Sequence, residues 1–244
     1  VVNVTFLVME ERPRWFLVGG GYESPDKMKL NAEWGHNNLF NNGQRLTVQG
    51  SYSFNLKGQH REEFDARHLE PYFISSPFKL LLHPFYYRER GQSYLTEETG
   101  ASANIGRYLG RDVYGSFQAK YKVARVDTLG QEGLPELEAT TNSFTLSLTR
   151  DTREPYFDPK RGSFNVFSLE RAGGVLGGSN SFNRFVVDWS FFLRVRRSAT
   201  LAVRLKEGYT TTFGRTTPDR VSSDERFELG GANSLRGYEE ASVG

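Results

Sequence analysis

Apolar and polar residues alternate with a period of two along most of this chain. Between Phe185 and Arg196, Phe185, Val187, Trp189, Phe191, Leu193 and Val195 fall on one side. Arg184, Asp188, Ser190, Arg194 and Arg196 fall on the other, with Val186 and Phe192 as exceptions. Successive strand residues face opposite sides of a sheet, so this segment predicts a strand with one greasy and one charged face. The same holds for Leu201, Val203 and Leu205 against Thr200, Arg204 and Lys206. It holds again for Phe144, Leu146 and Leu148, and for Phe117, Ala119, Tyr121 and Val123, each set alternating with Ser, Thr, Gln or Lys.

Helical periodicity is nearly absent. The pattern predicts eleven strands, at 15–22, 28–36, 44–57, 61–73, 79–90, 97–109, 113–126, 141–150, 162–171, 182–196 and 199–211. Ser24-Pro25-Asp26 and Asn41-Asn42-Gly43 read as short turns. Pro84 cannot donate to a strand ladder, so a bulge or a strand end is expected there. Residues 127–140 read as a polar loop with no apolar face.

A soluble antiparallel sheet with one wet face gives the same alternation. Three features favour a membrane barrel instead. The segments approach the roughly 9–11 residues that a tilted membrane strand needs, against about 5–6 in soluble sheets. They follow one another with no helix between them. Aromatic residues collect near their ends, as at Tyr52 and Phe54, Tyr72 and Phe73, Phe85 to Tyr87, and Tyr209 and Phe213, which suits an interfacial girdle. Composition agrees: among 244 residues only 37% are hydrophobic, yet there are 19 Phe and 12 Tyr. A polar lumen within an aromatic rim has that balance. The expected fold class is therefore all-β: an antiparallel transmembrane β-barrel, present in part.

Candidate chemistry adds little to this picture. A formal net charge of +2 calls for no nucleic acid, and the absence of cysteine excludes disulfides and thiolate sites. His36, His60, His68 and His83 are scattered without metal-ligand spacing. Gly19-Gly20-Gly21 is followed by no Lys-Ser/Thr and no helix, so it is not a phosphate loop. Asp151, Arg153, Asp158 and Arg161 read as a salt-bridged turn or strand start. No catalytic set stands out, and neither an enzyme nor a cofactor is expected. Val2, Val4, Phe6 and Val8 form a separate alternating strand before Arg12-Pro13-Arg14. It reads as the end of a preceding domain, with a first barrel strand as the alternative.

Four motifs in order carry a resemblance. They are "VTFLVMEERPRWFLVGGGYES", "HNNLFNNGQRL", "RDTREPYFDPKRGSF" and "RFELGGANSLRGYEEASVG". Together they resemble the BamA/TamA family of outer-membrane assembly proteins, the bacterial surface-antigen superfamily. The most specific piece is Leu235-Arg236-Gly237-Tyr238, preceded by Gly230-Gly231, which is similar to the family's arginine-glycine-aromatic loop signature. Asn41 stands where the family usually has glycine, a substitution the same turn tolerates. The resemblance implies periplasmic POTRA domains followed by a sixteen-stranded outer-membrane barrel. Its sixth extracellular loop folds back into the lumen after the eleventh strand, in line with the independent count of eleven.

On that footing, residues 1–13 would be the last strand of a POTRA domain and its linker. Residues 14–244 would be the N-terminal part of the barrel with its lumenal loop, the last five strands lying beyond Gly244. The resemblance assigns the loop motif to Gly230, Gly231, Leu235, Arg236, Gly237 and Tyr238. It assigns a lateral seam to the first strand, through Phe16, Val18, Gly19, Gly20, Gly21 and Tyr22. Arg236 would pack against acidic residues of the later strands. The implied function is insertion of β-barrel proteins into the outer membrane. Implied partners are outer-membrane lipid, unfolded barrel clients, and periplasmic or lipoprotein accessory subunits. A two-partner secretion transporter of the same superfamily, and a soluble β-sandwich binding module, are the alternatives.

Overall fold

The computed structural model describes residues 12–23, 27–91, 94–128, 137–214, 216, 217, 221, 225–227, 237 and 238. It contains eleven strands: β1 Arg14–Glu23, β2 Lys27–Leu39, β3 Gln44–Phe54, β4 His60–Glu70, β5 Lys79–Arg90, β6 Tyr94–Tyr108, β7 Val113–Thr128, β8 Leu137–Asp151, β9 Gly162–Ala172, β10 Phe182–Arg196 and β11 Ala199–Thr212. They form one antiparallel sheet in strict sequence order, β1 to β11. Only two short 3₁₀ turns, Phe73–Ser75 and Gly174–Leu176, interrupt the strand pattern among the described residues. Connections that follow odd-numbered strands lie at one rim and those that follow even-numbered strands at the other, because every neighbouring pair is antiparallel.

Burial on the two faces is reversed relative to a soluble protein. Directly opposed residues in the ladders share a face, so the register sorts every side chain. Ser51, Ser53, Lys122, Thr141, Ser143 and Glu170 share the polar face, and all are buried. Phe144, Leu146, Leu148, Phe185, Trp189, Leu193 and Leu205 share the other face, and all are exposed. A sheet that buries its polar side and exposes its aromatic side matches a barrel wall with lipid outside and water and ions inside.

The sheet corrects two sequence expectations. Pro84 causes no bulge: Asp65 faces Phe85 and His68 faces Leu82, so both strands have two residues between those pairs. Toward β6, Pro84 faces Ala101 in continuous register. The missing N–H interrupts only the pairing toward β4 at Ala66 and Arg67, and the strand runs on. The polar segment 127–140 is also shorter than expected as a loop, since β7 reaches Thr128 and β8 starts at Leu137. Charge pairing extends both strands there, with Arg125 Nε donating to Glu138 at 2.9 Å. The strand expected at residues 2–8 lies outside the described residues.

The rim turns explain two local motifs. Asn41 adopts φ 59°, the left-handed region that Asn tolerates better than most residues. Asn38 Oδ1 accepts from Gly43 N at 2.9 Å and closes that turn. In the β8–β9 turn, Arg153 donates to Asp151 at 2.9 and 2.6 Å and lies over the rings of Tyr156 and Phe164. That hydrogen bond holds the Arg153 guanidinium above its ordinary range. Arg161 pairs with Glu154, and Asp158 with Lys160, so the expected four-residue set divides among three pairs.

Gly162 closes the β8–β9 turn at φ 98°, and a Cβ there would lie 2.0 Å from the carbonyl oxygen of Thr152. Both the left-handed backbone and the clash exclude a side chain. Gly162→Ala in the full-length protein is expected to cost about 1–3 kcal/mol, the usual range for a strained backbone position. Denaturant midpoints in lipid vesicles measure it, and an unchanged midpoint would contradict the argument.

Candidate functional site: a buried ion cluster at the base of the closing loop

The first sequence-expected site is β1. Phe16, Val18, Gly20 and Tyr22 lie on its apolar face, and Gly19 and Gly21 on its polar face. Phe16, Val18 and Tyr22 are each more than half exposed. A Cβ on Gly19 would lie 2.7 Å from Asn31 Oδ1, whereas one on Gly21 would meet nothing within 4 Å. Gly19 is therefore fitted to Asn31, while Gly21 simply leaves the strand bare. Trp15 fills the adjacent gap, with its ring over Gly35 and Nε1 donating to Glu33 at 3.0 Å.

The second expected site is the loop after β11. Gly230, Gly231, Leu235 and Arg236 lie outside the described residues. Gly237 adopts φ 94°, a conformation that favours glycine, and Tyr238 is exposed.

A third site, which the sequence reading did not assign, lies at the base of that loop. Glu225 descends onto the polar face with its side chain only 2% exposed. Lys122 approaches it at 2.7 Å, Lys120 at 3.4 Å and Arg184 at 3.1 Å. Arg184 also donates to the Glu225 carbonyl. A second carboxylate, Glu170, takes Arg184 at 3.1 Å and Lys120 at 3.3 Å. Lys122 reaches Glu98 at 3.9 Å. Three cations and three carboxylates thus meet from β6, β7, β9, β10 and the loop. Near balance of charge is what burial of this many ions requires.

Rings and backbone complete the anchor. The Arg184 guanidinium sits 4.6 Å from the ring centroid of Phe182 and 5.5 Å from that of Phe227. Gly208 makes room for Phe227, since a Cβ there would lie 2.4 Å from its ring. Arg226 Nε donates to the Val221 carbonyl at 2.9 Å, and Val221 packs with Ala172 and Phe182 in an apolar cluster. Burial pushes the Glu225 carboxyl up, but Lys120, Lys122 and Arg184 together hold it below the ordinary carboxylate range.

This cluster was hidden in the sequence for a definite reason. Lys120, Lys122 and Arg184 appear there only as polar positions in alternating strands. Nothing local reveals that cross-strand register brings β7 within reach of β10, or that a glutamate 105 residues from Lys120 falls between them. The usable signal was two lysines two apart on one face of β7, with a glutamate two strands away on β9 and an arginine three strands away on β10, all on the same face.

An antiparallel sheet with a buried charged face, a lipid-exposed aromatic face and a loop tied down onto the charged side defines a section of a transmembrane β-barrel. Residues 38–244 match the Omp85 superfamily domain, and the chain belongs to that superfamily. It is an outer-membrane β-barrel chain. Over 243 residues it is 24% identical to the outer membrane protein assembly factor BamA of Nitratidesulfovibrio vulgaris, covering 97% of this chain and 30% of that protein. Over 110 residues it is 33% identical to a SAM50-like protein of Schizosaccharomyces pombe, covering 44% of this chain and 22% of that protein. A crystal structure of BamA from Haemophilus ducreyi lacking POTRA domains 1–3 superposes with a TM-score of 0.79 at 18% identity, covering 96% of this chain and 47% of that one. The chain thus spans less than a third of either curated relative.

Neutralising Glu225 leaves three buried cations with one anion fewer. Glu225→Ala is expected to cost about 3–5 kcal/mol in the full-length protein, as for removing one partner of a buried ion pair. The depressed folded pKa fixes the sign of the pH effect. The contribution of Glu225 is present above its unfolded pKa of about 4.3 and is lost as pH falls through the lower folded value. Limited proteolysis of the loop across pH 7 to 3 checks both points: the wild type should become cleavable only in acid, and Glu225→Ala already at neutral pH.

Proposed function

We propose that the full-length protein is an outer-membrane assembly factor that folds and inserts β-barrel proteins through a lateral seam at β1. The observation that carries this reading is membership of the Omp85 superfamily combined with the glycine run on an edge strand. A strand bearing Gly19, Gly20 and Gly21 packs few side chains against whatever pairs with its outer edge. At the three glycines pairing rests on backbone hydrogen bonds with little side-chain packing, and is easily exchanged for that of another strand. The named relatives, an outer-membrane assembly factor and a SAM50-like protein, support the same activity. Its clients would be unfolded barrel proteins, and accessory subunits would dock on domains that precede residue 14. Burial of the client's own strands in lipid supplies the driving force, so neither nucleotide nor metal is invoked.

The loop motif fits the same scheme. With its base held at Glu225, the segment through Gly230, Gly231, Leu235, Arg236, Gly237 and Tyr238 would run down the lumen. Arg236 would offer its planar fork of donors to a carboxylate of a later strand.

Two measurements on the full-length protein decide this. A photo-crosslinking residue at Val18 or Gly20 is expected to capture an unfolded barrel client during assembly, while one at Phe64 on β4 is not. Capture of an exported polypeptide from inward positions such as Gln118, with none at Val18, would favour the secretion transporter instead. Separately, Arg236→Glu is expected to abolish the heat-modifiable band on SDS-PAGE, and a retained band would remove the lumenal role from Arg236.

A further inference from the structure

The membrane-facing side of the wall is not uniformly convex. Across β5 to β8 the outward residues shrink to Ala101, between Pro84 and Tyr121, and, in the next row, to Ala103 and Ala119, which oppose each other. Leu82 and Phe144 stand on either side of them in the same register row. The result is a groove of about 590 Å³ on the outer surface, walled at one end by Leu176.

That end wall is built from outside the strands. The first residues of β8 extend past the end of β9, whose pairing begins only at Ser143. The turn after β9 folds back to cover this free edge. Gly178 bridges to Thr141, and Ser179 N donates to the Thr140 carbonyl at 2.7 Å. Asn142, whose side chain is on the outward face, donates from Nδ2 to the Leu176 carbonyl at 2.8 Å. This bond occupies the Asn142 amide N–H and fixes Leu176 over the groove.

Charge lies beyond one end of the groove. Glu62, Arg88, Glu97, Arg125 and Glu138 oppose one another in turn from β4 to β8, all on the outward face. Glu97 is four residues from Ala101, about 13 Å along the strand. Arg88 Nε is buried and has no hydrogen-bond acceptor among the described residues. That row carries three carboxylates against two guanidiniums, with Arg125 paired to Glu138 at 2.9 Å, so it marks where the apolar trough ends and offers no net positive charge.

We propose that this groove is a phospholipid site. One acyl chain would lie over Ala101, Ala103 and Ala119, against Leu82, Phe144 and Leu176. The occupant follows from continuity: the groove is part of the surface that the membrane-spanning sheet presents to lipid, and apolar area there is filled by acyl chains. The inference concerns the barrel wall and stands apart from the assembly activity.

The test reconstitutes the full-length protein in vesicles of phosphatidylethanolamine and phosphatidylglycerol. These carry a phospholipid with a photoreactive group on one acyl chain. Labelled peptides are mapped by mass spectrometry. Peptides from β6 and β7 should be labelled several-fold more than outward-facing peptides of β2 and β10. Ala103→Phe and, separately, Ala119→Ile should remove that excess, whereas Ala32→Phe on the outward face of β2 should not. Even labelling around the barrel in the wild type would overturn the proposal. So would an excess that survives both substitutions. The wild-type map decides the matter alone should a filled variant fail to give the heat-modifiable band.

Discussion

Register is the constraint on which this structure depends. Side-chain direction reverses at each strand residue, so a slip of one position would turn Lys120, Lys122 and Glu170 toward lipid and Phe144 and Trp189 inward. Among the described residues the ladder has two irregularities, between His36 and Leu39 and between Arg194 and Arg196. Both fall at strand ends on the rim of short turns, where the chain leaves the hydrocarbon and an extra residue has water to meet it. Inside the wall, even Pro84 is accommodated by losing a ladder bond rather than by shifting the count. Unpaired backbone groups are costly in lipid, but a shifted register would expose every lumenal charge downstream of it.

The same constraint organises the interior. Once the polar residues of eleven strands face one side, their charges must neutralise one another. They do so mostly across strands, although Arg61 with Glu63 and Arg67 with Asp65 pair along β4. Lys27 on β2 reaches Glu89 on β5 at 2.8 Å, passing over two intervening strands. Lys29 and Arg61 meet Glu63, and Arg61 covers the ring of Tyr87. Tyr87 opposes Glu98, which leads through Lys122 to Glu225. A charged band therefore extends from the strand next to β1 to the base of the loop after β11. Glu225 is the point at which the loop joins a network that the strands have already built.

What the sequence made legible follows from the same physics. Period-two alternation is a local property, so all eleven strands were readable, most within two residues of their ends, without any knowledge of the fold. Asn41 in a left-handed turn was readable because Asn carries that propensity by itself. The Gly162 closure, the Glu225 cluster and the alanine groove were not, because each is made by residues distant in sequence that the ladder brings into line. The loop expected over 127–140 failed for a related reason. Its ends place Asp127 and Glu138 on the outward face, where a greasy residue would mark a membrane strand, and only the ladder that pairs Ala124 to Val126 with Leu137 to Ala139 shows that they remain in the sheet.

β7 shows how far one strand can serve two surfaces. Lys120 and Lys122 point inward to Glu225, while Ala119 and Tyr121, one step along the backbone, point outward to the groove. The inner demand is for charge at fixed spacing, and the outer demand is for small volume at Ala119. Neither restricts the other, since a pleated strand separates the two faces by the backbone itself. β7 is paired on both sides over most of its length, to β6 from Tyr114 to Thr128 and to β8 from Val113 to Val126. A strand held on both edges cannot rotate to relieve a misfit on one face. The anchor inside and the groove outside are thus fixed with respect to each other by backbone hydrogen bonds, and each can change its side chains while the other keeps its geometry.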